Sequence, residues 1–286
     1  VSRFPWFGLL LLAGCLPPAS KVETPAPRVE LGARFEAATT GTVRGQILWQ
    51  GSVPGQERSV GVVPDGDEYR FRDVGNPFRL AVDPATRGLA GVLVALDGID
   101  PARSRAWDHS PVSLTMNDFN FRLTQGDRVT AGPGLVRLGD SVTFVSNDAE
   151  LHVVRARGAA FFALTFPAPA RPRTRRFDAP GTVELTSGAG YFWNAIDLCV
   201  SDHPYIAVTD AQGRYEFKQV PEGAYTLTTR FRDPTVTRVE RDPETGLPFR
   251  HFFAPPVVER FPVTVVRGAA VTKNLTADAT LFQDSR

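Results

Sequence analysis

From residue 40 to the C-terminus no run of apolar residues keeps a helical period. Short stretches rich in Val, Ile, Thr, Phe and Tyr, among them 42–49, 91–96, 141–145, 182–186, 224–231 and 257–266, alternate instead with clusters of Gly, Pro, Asp and Asn. β-Branched and aromatic side chains suit a pleated, half-buried surface, and the Gly and Pro clusters cut it into strands. Strands without helices can bury their apolar faces only by packing sheet on sheet. The fold class is therefore all-β, in the form of tandem β-sandwiches. A length of 286 residues, 42% of them hydrophobic, is enough for two such cores after a leading segment.

The formal net charge is +1, with acids and bases interleaved, which excludes the basic footprint of a nucleic-acid binder. The first residues point elsewhere. Arg3 precedes an apolar run, 4–13, that is too short to span a bilayer but suits a secretory signal. The run ends in Leu12-Ala13-Gly14-Cys15, which resembles the lipobox of bacterial lipoproteins and implies acylation of Cys15. Residues 1–15 are thus read as a signal peptide and 16–39, rich in Pro and Ala, as an extended linker. The expected location is the cell envelope, held to the membrane through Cys15. With Cys15 lipidated, Cys199 is the remaining thiol and no intrachain disulfide can form.

Beyond the linker the chain divides into a β-rich leading segment, 40–112, and two sandwiches, 113–200 and 201–286. The last division rests on Thr209-Asp210-Ala211-Gln212-Gly213-Arg214-Tyr215-Glu216-Phe217, followed by Val220-Pro221-Glu222-Gly223-Ala224-Tyr225-Thr226-Leu227. Gly213 supplies the positive φ of a tight turn, Tyr215 and Phe217 alternate onto one buried face, and Tyr225 and Leu227 repeat the alternation. This stretch resembles the carboxypeptidase regulatory-like domain, a transthyretin-like sandwich.

The middle division carries a second pair of signals. Leu138-Gly139-Asp140-Ser141-Val142-Thr143-Phe144-Val145-Ser146-Asn147-Asp148 leads to His152, and Asp178-Ala179-Pro180-Gly181-Thr182-Val183-Glu184-Leu185 leads to a loop. Both are similar to cupredoxins, and residues 40–230 together resemble exported bacterial plastocyanin-like or methylamine-utilization proteins that join the two sandwiches. The resemblance implies copper held by His152 and by a Cys, a His and a Met on the loop. In this chain Ser187, Gly190 and Trp193 fall at those three positions. Hydroxyl, hydrogen and indole cannot replace thiolate, imidazole and thioether, so no cofactor is expected. An alternative copper set, for an electron-transfer protein, takes His152, Cys199 and His203.

Two stretches could meet a partner. Arg171, Arg173, Arg175 and Arg176 gather four guanidinium groups that match phosphate or carboxylate on a lipid or polysaccharide. Tyr191, Phe192 and Trp193 would stack on a ligand or envelope protein if they face out, or fill the former metal cavity if they face in. Inward filling is the expectation. Asp108-His109-Ser110 has the letters of a catalytic triad without its geometry, and the expected role of the whole chain is non-enzymatic binding or scaffolding.

Overall fold

The structure, a computed structural model, describes residues 34–53, 55, 58–130, 132–167 and 171–283. The signal peptide, Cys15 and residues 16–33 of the linker lie outside the described residues. The described body is β throughout, apart from three short 3-10 turns.

Two sandwiches make up this body. In the first, one sheet places Thr40–Trp49 between Arg214–Pro221 and a parallel pair, Ala270–Thr272 and Leu275–Ala277. Its facing sheet runs Ile206–Val208, Leu93–Asp97, Gly223–Phe231, Val257–Val265. Val43, Ile47, Trp49, Val94, Leu96, Tyr215, Phe217, Leu227 and Val265 fill the space between them. The leading segment therefore supplies two strands to a core that is completed only after residue 205. Gly213 turns at φ +76, and a Cβ there would run into the carbonyl of Ile47. The turn is closed by Asp210, whose Oδ1 accepts the backbone N–H groups of Gln212 and Arg214 at 2.9 and 2.8 Å.

The second sandwich is inserted between Leu93–Asp97 and Ile206–Val208. Its inner sheet runs Gly134–Arg137, Ala195–Ser201, Gly181–Ser187, His152–Gly158, Phe162–Phe166, and its outer sheet runs Arg173–Arg176, Ser141–Ser146, Val112–Asn117, Asn120–Gln125, Arg128–Val129. Leu114, Met116, Phe144, Val154, Phe166, Val183, Leu185 and Leu198 form its core. Strand alternation sends Leu198 and Val200 into that core and turns Asp197 and Cys199 the other way. There Cys199 and Leu135 meet Leu93 and Ile206 of the first sandwich. The result is four sheets in layers, with the middle two in contact through alternate faces.

Two ribbons reach from the first sandwich toward one end of the second. One pairs Arg58–Asp65 with Glu68–Gly75, and the other pairs Val236–Arg241 with Pro248–Phe253. Neither can bury a face by itself. The first places Val63 and Val74 against Phe119, Tyr191, Phe192 and Trp193.

Candidate functional site

The loop between Gly181–Ser187 and Ala195–Ser201 closes the end of the inserted sandwich that lies under the ribbons. Its aromatic residues face inward. Trp193 is 8% exposed, its indole N–H donates to the carbonyl of Phe119 at 3.0 Å, and Tyr191 packs against it with ring centroids 5.6 Å apart. Phe192 stacks on His251 of the second ribbon at 4.0 Å. Gly61 of the first ribbon leaves room for the indole, because a Cβ at Gly61 would stand 2.5 Å from Trp193 Cζ3. These three aromatics are thus a buried plug and offer no surface to a partner in this structure.

The carbonyl that Trp193 engages belongs to a strained turn. Asp118 and Phe119, between strands Val112–Asn117 and Asn120–Gln125, adopt φ 47 and 58, the left-handed region that side chains disfavour. Both central residues of a tight hairpin need that region for the turn to follow the sheet twist. The cost is offset locally: the Asp148 carboxylate accepts the backbone N–H groups of Asp118 and Phe119 at 2.7 and 2.9 Å. Asn194 adds a clamp, donating to Phe119 O at 2.9 Å and accepting from Phe121 N at 2.8 Å. Arg72 of the first ribbon reaches across to the Asp118 carboxylate at 2.8 and 3.1 Å.

His152 completes this arrangement. Its Nε2 lies 2.8 Å from Asp148 Oδ2 and the ring is fully buried between Phe119 and Tyr191. A carboxylate acceptor requires the proton on Nε2, which leaves Nδ1 with a lone pair and no hydrogen-bond partner. Burial lowers the His152 pKa, against the opposing pull of Asp148. The imidazole is therefore held neutral as a brace for Asp148, and burial, with the charges of Glu150 and Asp148 nearby, pushes the Tyr191 phenol up to about 12.

The alternative copper set is not brought together. Val154 pairs with Ser187 and Thr182 with Cys199, so His152 is level with residue 189 and Cys199 with residue 182. That separation is roughly 20 Å of strand at about 3.3 Å per residue. The two side chains also leave opposite faces of the sheet. Burial drives the Cys199 thiol up to about 12, the reverse of what a metal thiolate needs. His203 sits in the connector, where its Nδ1 accepts from Tyr205 N at 3.3 Å. Among the described residues no three His, Cys, Asp or Glu side chains gather in a way that could hold a metal ion. Ser187, Gly190 and Trp193 add no metal donor, so the residues present do not fit copper.

Asp108, His109 and Ser110 make no triad: His109 Nε2 contacts Pro204 O at 2.9 Å, and Asp108 pairs with Arg105. The Arg cluster is on the surface. Arg173–Arg176 forms an edge strand exposed along its whole length, with Arg171 exposed beside it. Arg173 and Arg175 extend over the rings of Phe166 and Phe162, covering the open edge of the sandwich, and Arg176 pairs with Asp178 at 2.6 Å.

A second contact between the sandwiches carries charge, with no signature in the sequence. Asp197 and Glu184 face each other directly on adjacent strands of the inserted sandwich. Arg230 and Arg232 of the first sandwich meet them: Arg232 Nη2 lies 2.6 Å from Glu184 and Nε 3.2 Å from Asp197, while Arg230 Nε is 3.9 Å from Asp197. The other face of Arg232 stacks on Phe78 at 3.7 Å. A cavity of about 510 Å³ lies between this cluster and the aromatic plug, walled by Phe78, Phe121, Trp193, Asp197 and Arg232.

No family model matches the sequence, and no curated protein matches it. Among solved structures, a copper(I) form of an amicyanin variant is similar to 38% of this chain and 98% of its own, at 15% identity and a TM-score of 0.25. A copper-containing nitrite reductase from Thermus scotoductus is similar over 34% of this chain and 24% of its own, at 15% identity and a TM-score of 0.26. Likeness at that level does not reach to metal or activity.

Proposed function

We propose that this protein is a non-enzymatic binding or scaffolding module of the cell envelope, in which a cupredoxin-like sandwich has exchanged its metal site for a structural joint. The observation that carries the reading is Trp193. The side chain standing where a thioether ligand would be is buried against Gly61 and tied to Phe119 O at 3.0 Å. Around it, Asp148 caps a strained turn and His152 braces Asp148 through Nε2.

Anchoring through an acylated Cys15 belongs to the same proposal. The exposed strand Arg173–Arg176 with Arg171 is the surface that fits a partner, and its chemistry suits the phosphate or carboxylate groups of an envelope polymer. Charged residues also protect an edge strand from pairing with other chains, so this stretch serves solubility as well.

The test is addition of Cu(II) to the purified chain. The expected result is a colourless protein without tight copper uptake. An intense thiolate-to-copper absorption band that disappears in Cys199→Ala would overturn the reading.

A further inference from the structure

We propose that Asp197 is a proton-binding site built into the contact between the two sandwiches, and that taking up a proton there tightens the contact. Glu184 and Asp197 are direct partners on antiparallel strands, and like charges placed opposite each other repel. Both point away from the sandwich core, toward the first sandwich. Glu184 sits at the rim, with its side chain 38% exposed, whereas that of Asp197 is 3% exposed.

The positive charges that face them do not compensate equally. Arg232 commits Nη2 to Glu184 at 2.6 Å and its flat face to Phe78, leaving Nε at 3.2 Å from Asp197 without hydrogen-bond alignment. Arg230 approaches no closer than 3.9 Å. Both oxygens of Asp197 are buried with no hydrogen-bond partner, and the Nε atoms of Arg230 and Arg232 are buried and unpartnered too. Cys199, two residues along the same strand, is a buried thiol and contributes no charge. A carboxylate so placed has lost water and gained little in return. Protonation removes the repulsion from Glu184 and the cost of burying the charge.

The direction follows from linkage. Burial pushes the Asp197 carboxyl up to about 6, and the Coulombic pull of Arg232 and Arg230 only partly opposes it. An unfolded or hydrated aspartate titrates near about 3.9. Between those values the closed contact binds a proton that an opened one does not, so its stability rises as pH falls through about 6 and is lost again as pH rises. His152 and His203, both lowered by burial, push the whole-protein curve the opposite way. The informative quantity is therefore the difference between wild type and Asp197→Asn, whose amide imitates the protonated acid.

The experiment measures melting temperature for both proteins from pH 4.5 to 7.5, using the full chain. Asp197→Asn is expected to melt higher than wild type at pH 7.5, with the gap closing as pH approaches 5. Hydrogen exchange on Ala195–Ser201 and Gly223–Phe231, corrected for intrinsic rates, should slow on acidification in wild type and not in the variant. A variant that melts lower than wild type at pH 7.5, by a margin that shrinks in acid, would show that the ion pair stabilises the contact and would overturn the proposal. If the variant does not fold, carbon NMR of the Asp197 carboxyl in wild type decides. A midpoint near 6 supports the site, and a midpoint in the ordinary aspartate range refutes it.

Discussion

The two sandwiches touch in two places that are built on opposite principles. At the loop end, ribbon and plug meet through Val63, Val74, Phe119, Tyr191 and Trp193, and the buried N–H groups of Trp193 and Asn194 both reach the carbonyl of Phe119. At the middle sheets, a small apolar patch around Leu93, Leu135 and Ile206 is flanked by Asp197, Arg230 and Arg232 with buried atoms unpartnered. Apolar burial depends little on pH, whereas a buried charge without full pairing titrates. The aromatic contact therefore fixes the relative position of the sandwiches, and the charged contact lets the strength of their association respond to solvent.

The aromatic contact should show the largest effects. Trp193→Ala removes an indole from a packed site and is expected to cost about 3–5 kcal/mol in denaturant unfolding, as large aromatic truncations do. A loss below about 1 kcal/mol would move the plug to the surface and revive it as a binding site. The charged contact comes next. Arg232→Met strips the shared partner from two facing carboxylates and should cost about 3 kcal/mol at pH 7. The cost should shrink at pH 5, where Asp197 is protonated; an equal loss at both values would mean that Asp197 does not titrate. Gly61→Val presses on the indole from the ribbon side, and overpacking of this kind costs about 1–3 kcal/mol. Restoration of stability in a Gly61→Val, Trp193→Leu double variant would confirm that the two residues meet. Smallest is Cys199, which should resist alkylation in the native protein and react only after unfolding, in keeping with a buried thiol.

Much of this body was legible in the sequence. The Asp210–Arg214 turn and the alternation of Tyr215 and Phe217 rest on local chemistry, and local chemistry leaves a local pattern. The strands Val112–Asn117 and Asn120–Gln125 escape the sequence reading although the first alternates, and Glu68–Gly75, Arg173–Arg176, Val236–Arg241 and Pro248–Phe253 escape it for want of alternation. The outward faces of these last four are charged or singly aromatic, so they show little of the pattern that marks a half-buried strand. The nesting of one sandwich inside the other was also invisible, because pairing of Thr40–Trp49 with Arg214–Pro221 is decided by which edges remain free after folding. Likewise Asp197 reads as a stray acid in an apolar strand. Its partners lie on another sheet, and ion pairs between sheets have no period. Asp148 appeared in a recognised motif, but its role depends on the left-handed turn at Asp118 and Phe119, which a sequence signals weakly.

The central claim is that Trp193 is a sealed joint under the ribbon, and the most direct measurement is hydrogen exchange of its indole N–H by nitrogen-edited NMR. The signal is assigned by its absence in Trp193→Phe. The account predicts a resonance that survives long after transfer to deuterated water, because the proton is bonded to Phe119 O and covered by Gly61. Exchange as fast as that of an exposed indole, in protein that is otherwise folded, would contradict it.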